Sequence, residues 1–271
     1  MDLPRPQDMI RIILTMKDWH VVVLDRLGLN RRNDPIGSAK LDIVRFRDGL
    51  AFETRPNTTD SMMLAKIVSN RRFNPPGFEL RKGDIVFDVG AHIGSFTVWA
   101  AKQIGDGKVY AFEPDSRNRE LASRNVLRNK VDNAKVYGDA ISGENQQLEI
   151  WRHPTDPAAH SAYGSASVDE HDAGSPMRAQ AFTIEHLMDK LGIRRLSFLK
   201  MNCEGLEFDI ITTMRPETLA RIDKMAMQFH EKLTGRKAEE ITDHLERNGF
   251  VVSRQWNNKR EGRGIIYAKR R

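Results

Sequence analysis

The chain has 271 residues, 39% hydrophobic and 30% charged, enough for one sizeable packed domain with a small appendage. Its 43 basic and 37 acidic residues leave a net charge of +6, spread along the chain as on an ordinary solvated surface, which argues against nucleic acid as a partner. One cysteine, Cys203, excludes an internal disulfide; with no bilayer-length apolar run and no signal-peptide pattern, the chain reads as cytoplasmic.

Residues 1–40 form a first segment. Met9, Ile10, Ile13, Leu14, Met16 and Val23 recur at roughly helical spacing, predicting a helix that packs on the domain or on a second copy of the chain. Residues 30–38 read as a connector. A second unit, 41–271, opens with period-two alternation of Val44 and Phe46 against Arg45 and Arg47. Asp48-Gly49 then predicts a hairpin turn into Leu50-Ala51-Phe52. A helical stretch begins near Ser61, and Asn74-Pro75-Pro76-Gly77-Phe78 reads as a loop.

Ile85-Val86-Phe87-Asp88-Val89 is an apolar strand, followed by a turn carrying Gly90 and Gly94 and then a helical pattern, the layout of a nucleotide site at a strand's carboxyl end. Gly90 permits a sharp turn and close ligand approach, and Gly94 permits close packing of helix on strand. A second strand, Lys108–Phe112, ends on Glu113-Pro114, and a helix over 115–129 follows. A third, Ala134–Tyr137, leads to Gly138-Asp139-Ala140. A short extra strand over 148–151 precedes a Ser-, Ala-, Gly- and His-rich loop over 154–176, from which His160, Ser161, Tyr163 and Ser165 can reach an acceptor. Then come an extended piece at 180–182, a helix over 184–191 and the strand Leu196–Met201, which ends on Asn202-Cys203-Glu204-Gly205 before a helix near Glu207. The strand at 225–229 ends on His230-Glu231; a helix over 238–248 and strands at 250–252 and 264–268 complete the chain. This alternation predicts an α/β fold, a parallel-rich doubly wound sheet.

His92 stands where a dinucleotide site needs its second glycine, so a pyrophosphate is disfavoured. S-adenosyl-L-methionine has none. Glu113 can accept hydrogen bonds from both ribose hydroxyls and Asp139 one from the adenine amino group. Asp88 and the turn through Gly90, Ala91, His92, Gly94, Ser95 and Phe96 lie where the methionine end belongs; Pro114 and Ala140 flank the nucleoside.

With these residues in view, the chain resembles the FkbM family of S-adenosylmethionine-dependent methyltransferases. The matching pieces are Phe87-Asp88-Val89-Gly90-Ala91-His92-Ile93-Gly94, then Ala111-Phe112-Glu113-Pro114 with Asn125 and Asn129. Phe198-Leu199-Lys200-Met201-Asn202-Cys203-Glu204-Gly205-Leu206-Glu207 and the stretch from Arg55 to Asp60 complete the set. The resemblance spans roughly 41–271 and implies a Rossmann-like, doubly wound class I methyltransferase sheet, mostly parallel with a C-terminal antiparallel strand, and methyl transfer to a hydroxyl oxygen of a sugar, glycan or secondary metabolite. In two places the family's usual acid is replaced by an amide, at Asn202 and Gln228, which argues against a divalent cation. His230 is the first candidate base, because imidazole titrates near neutrality. Glu204 is the second, with capping of the following helix as its structural alternative, and Lys200 is placed to ease a developing alkoxide. Asn202 orients the donor's methionine part or the acceptor, and Cys203 reads as a small buried hydrophobe. Two readings compete with a small-molecule or glycan O-methyltransferase: an RNA methyltransferase, and a donor-binding module impaired by the two amides.

Overall fold

Runs such as Ile85–Val89 and Leu196–Met201 are apolar at nearly every position, which suits strands covered on both faces. In the computed structural model, which describes residues 6–29, 41–152, 158, 160–162 and 176–271, they lie side by side at the centre of a seven-stranded sheet. The predicted connector at 30–38, together with Tyr163 and Ser165, lies outside the described residues.

The chain begins with α1 (Pro6–Thr15) and α2 (Trp19–Arg26), then the hairpin β1 (Asp42–Arg45) and β2 (Ala51–Thr54), and α3 (Asp60–Leu64). The expected N-terminal helix is two helices. Between them Met16 forms a β-bridge with Phe46, and Asp18 accepts from the Arg45 backbone N–H and Nε, each at 2.9 Å. Ile12, Met16 and Val22 are buried on the domain, whereas Ile10, Ile13 and Leu14 stay exposed.

Next come β3 (Ile85–Val89), α4 (Ser95–Ile104), β4 (Lys108–Phe112), α5 (Ser116–Arg128) and β5 (Ala134–Tyr137). β6 (Ala140–Ile141), β7 (Gln146–Ile150) and β8 (Met177–Phe182) form a separate small sheet. α6 (Ile184–Lys190), β9 (Leu196–Met201), α7 (Glu207–Thr213), α8 (Pro216–Leu219), β10 (Ile222–His230), α9 (Glu231–Thr234), α10 (Ala238–Arg247), β11 (Phe250–Asn258) and β12 (Arg263–Arg270) complete it. The main sheet runs β11-β12-β10-β9-β3-β4-β5. β5, β4, β3, β9 and β10 are mutually parallel, and β12 runs antiparallel to both its neighbours. The fold is therefore Rossmann-like. The basic residues Lys259, Arg260 and Arg263 lie at the turn joining β11 to β12.

Alternation along β10 divides the core. Met225, Met227 and Phe229 face one side, and Ala226 faces the other, where Phe46 and Phe52 of the hairpin also pack. The hairpin is held by α5 rather than by another strand. Asn125 bonds the Glu53 N–H and C=O at 2.7 and 3.2 Å, and Asn129 does the same for Ala51 at 2.9 and 2.7 Å. Two side-chain amides thus satisfy the edge groups of β2 that would otherwise need a partner strand.

Candidate active site

The chain returns from β3 to its two neighbours in opposite directions, to β4 on one side and β9 on the other. Such a switch point opens a crevice at the carboxyl ends of the strands. Here it is a cavity lined by Gly90 and His92 after β3, Glu113 and Pro114 after β4, and Asn202, Cys203 and Glu204 after β9. Asn118 of α5, Ala140 and Ile141 of the small sheet, and Ala158, His160 and Ala162 close the remaining side.

Gly90 is required by its neighbour as much as by any ligand. Its φ is +70°, and a Cβ there would stand 2.1 Å from the Asn202 carbonyl oxygen. Gly94, at φ +80°, lies against Ala122 of α5, so its smallness serves a helix–helix approach and not the helix–strand approach expected. The Gly90 and Ala91 N–H groups both donate to the Phe112 carbonyl, at 3.0 and 3.1 Å, and so are spent inside the turn. Ala91, Gly94, Ser95 and Phe96, all expected at the ligand, are outside the lining. Phe96 is instead a core side chain beside Phe73, Trp99 and Phe198.

Asp88, expected at the methionine end, and Lys200, expected at the acceptor, face each other instead. Lys200 Nζ pairs with Asp88 Oδ1 at 2.8 Å and donates to the carbonyls of Val89 and Gly90 at 3.2 and 2.8 Å. Thr97 donates to the other Asp88 oxygen at 2.6 Å. Both charged groups are buried and neither lines the cavity. This pair ties β9 to the end of β3. Asp139 is also outside the lining, which takes Ala140, the first residue of β6, in its place.

Glu113 does face the cavity. Its Oε2 accepts from the His92 N–H at 2.7 Å and its Oε1 from the Asp115 N–H at 3.1 Å. Burial pushes its carboxyl above the usual range against the pull of these bonds. His92 adopts a left-handed φ of 54°, which aims its N–H at Glu113 while its ring reaches back to Asp60 Oδ1 at 3.1 Å. Asp60 is fully buried; burial alone would raise its carboxyl, but His92 and Arg55 hold it well below the usual range. His160 lies on this same side, 3.9 Å from Asp115, which also takes Arg152 Nε at 2.8 Å.

Burial pushes His160 down to about 4. Between pH 6.5 and about 4 the unfolded chain therefore binds a proton at His160 that the folded chain does not, and stability falls as pH drops through that window. Denaturant titrations at both ends of the window should show a smaller acid loss in His160→Asn than in the parent.

Across the cavity, Glu204 takes a left-handed φ of 46°. Its Oε2 lies 3.2 Å from His230 Nε2, and His230 Nδ1 lies 2.7 Å from Glu207 Oε1. His230 is buried behind Glu204 and does not line the cavity, which reverses their order as base candidates. Burial lowers the proton affinity of His230, but the charges of Glu204 and Glu207 outweigh it and raise the imidazole above its ordinary value. No side chain caps α7, where Glu204 was the alternative; Glu207, its first residue, accepts with Oε2 from the Gly205 N–H at 2.9 Å. Burial and the Glu207 charge push the Cys203 thiol well up, as befits an inert side chain. Asn202 contributes a buried Oδ1 with no hydrogen-bond partner beside the cavity.

Sequence reasoning missed Asn118, Glu207 and Arg72. An acid in the first turn of α7, three residues after Glu204, was a readable signal for Glu207. Arg72, within an exposed-looking Arg71-Arg72 pair, offered none.

Residues 88–252 match the methyltransferase FkbM domain. The chain belongs to the FkbM methyltransferase family. Among curated relatives of this FkbM-family chain, 31-O-demethyl-FK506 methyltransferase FkbM of Streptomyces tacrolimicus is 26% identical over 238 residues, covering 78% of this chain and 90% of that protein. The AMB antimetabolite synthetase AmbE of Pseudomonas aeruginosa is 22% identical over 215 residues; the match covers 67% of this chain and only 10% of the synthetase. A solved methyltransferase FkbM from Methylobacillus flagellatus KT superposes with a TM-score of 0.49 at 13% identity, over 77% of this chain and 53% of that one. The FkbM domain match begins at Asp88, so Arg55 and Asp60, which brace His92, lie upstream of it. Among the described residues, no helix is long and apolar enough to cross a membrane.

Proposed function

We propose that this methyltransferase uses S-adenosyl-L-methionine to methylate a hydroxyl oxygen of a small molecule or glycan. The observation that carries the reading is one cavity with two chemically different walls: Glu113 and Asn202 toward a nucleoside and an ammonium, and Glu204 backed by His230 toward a proton. The orphaned Asn202 Oδ1 is an acceptor in want of a donor, which a methionine ammonium would be. Glu113 would hold the ribose hydroxyls, Pro114 and Ala140 would flank the nucleoside, and Gly90 leaves its approach open. When bound, S-adenosylmethionine supplies a methyl group already activated by its sulfonium. The relative's name specifies a 31-O-demethyl substrate, which supports oxygen as the acceptor atom.

The chain's own part is to align the hydroxyl and take one proton. Glu204 accepts it as the acceptor O–H bond breaks, and passes it to His230 Nε2. Glu207 accepts from Nδ1–H, which keeps the Nε2 lone pair toward Glu204, and then stabilises the imidazolium between two carboxylates.

A panel of hydroxylated acceptors, sugars first, assayed with radiolabelled donor, tests this. On any acceptor that turns over, Glu204→Gln should lower kcat by about 100-fold or more, the usual range for a lost general base, with donor affinity retained. His230→Ala should lower kcat as well. Wild-type turnover in both variants would remove the base assignment.

A further inference from the structure

Gln228 stands two residues before His230 on β10, so their side chains share a face. Arg72 Nη2 lies 2.5 Å from Gln228 Oε1, and Gln228 Nε2 lies 2.7 Å from His230 Nε2. A guanidinium only donates, so the amide must turn its oxygen to Arg72 and its NH2 to the imidazole. Arg72 is itself anchored, its carbonyl accepting from the Tyr267 hydroxyl at 2.7 Å. Gln228 is 6% exposed, so water cannot readily replace either partner.

His230 Nε2 is therefore contested. The amide N–H favours the lone pair of the neutral ring, whereas the charges of Glu204 at 3.2 Å and of Glu207 favour the imidazolium, in which Nε2 carries a proton. The Arg263 charge, from β12, opposes protonation. We propose that Arg72, acting through the Gln228 amide, is a positioning residue that holds His230 Nε2 ready to receive a proton from Glu204. The inference rests on Glu204 as the base. It makes the dyad's basicity a property set from outside the cavity, by a residue that touches no ligand. Loss of Arg72 frees the amide to turn its oxygen to Nε2–H. Loss of the amide removes the competing donor. Either change strengthens the hold of His230 on a proton.

The test is a titration of His230 in the full chain labelled with 15N-histidine, followed by long-range proton–nitrogen NMR from about pH 5 to 9, the range in which imidazoles titrate. His230→Gln locates the signal. In Arg72→Met and in Gln228→Met the His230 midpoint should rise by about one pH unit, a tenfold gain in proton affinity. A midpoint unmoved or lowered in the folded variants would overturn the proposal, and if Arg72→Met does not fold, Gln228→Met decides alone. The titration needs neither donor nor acceptor. It can fail while Glu204→Gln still abolishes turnover, and it can succeed while Glu204 proves dispensable.

Discussion

Replacing Glu113 with alanine is expected to weaken binding of S-adenosylhomocysteine about 100-fold. The carboxylate lines the cavity; Oε2 accepts one bond, from the His92 N–H, and Oε1 accepts from the Asp115 N–H at 3.1 Å and, at 3.5 Å, from Asn118 Nδ2, a long contact that a ribose hydroxyl can displace. Two hydrogen bonds from ribose hydroxyls to a charged acceptor contribute about 1.5 kcal/mol or more each, and about 3 kcal/mol is roughly a hundredfold in Kd. The same oxygens hold the His92 and Asp115 N–H groups, so alanine also loosens the turn around the ligand. Glu113→Gln separates the effects, because it keeps the shape and one acceptor oxygen and should lose less. Titration calorimetry on both variants, with denaturant curves to verify folding, reads the outcome. An unchanged Kd in Glu113→Ala would place the nucleoside elsewhere.

The second large effect concerns stability. Lys200→Met leaves the Asp88 carboxylate buried, with Thr97 as its remaining side-chain partner. Breaking a buried pair from one side costs about 3–5 kcal/mol. For a domain of this size that lowers Tm by about 6–20 °C. The pair also clasps the Val89 and Gly90 carbonyls, so the cavity floor should loosen with it. Asp88→Leu combined with Lys200→Met removes both charges and should recover much of the loss, since an apolar pair of similar volume avoids the desolvation cost. Thermal unfolding followed by circular dichroism distinguishes this from a catalytic role. A Lys200→Met protein with parental Tm would contradict the structural assignment.

Lys200 illustrates what was legible in the sequence and what was not. Strand character, strand ends and the acid after β4 are local signals, written in apolar runs and turns. They placed Gly90, His92, Glu113, Pro114, Ala140, Asn202 and Glu204 on one cavity wall or another. Lys200 lies at an equally readable strand end, yet its direction depends on Asp88, a residue far away in sequence and adjacent only through the β3–β9 pairing. The same holds for His230. Its type suggests a base, but only the fold shows that Glu204 stands between it and the cavity and that Glu207 holds its far nitrogen. Arg72 is invisible for the same reason, because its partner Gln228 comes from the other end of the chain. Asn125 and Asn129 were noticed for their resemblance alone; the structure gives them the physical work of pairing the edge of β2.

The central claim is that one cavity carries a methyl donor on its Glu113 wall and a proton acceptor on its Glu204 wall. A crystal structure of the chain with S-adenosylhomocysteine tests it most directly. The claim predicts ribose hydroxyls on Glu113, the amino group on Asn202 Oδ1, and the sulfur facing the side where Glu204 meets His230. A ligand bound away from Glu113, or one whose sulfur faces away from Glu204, would contradict it.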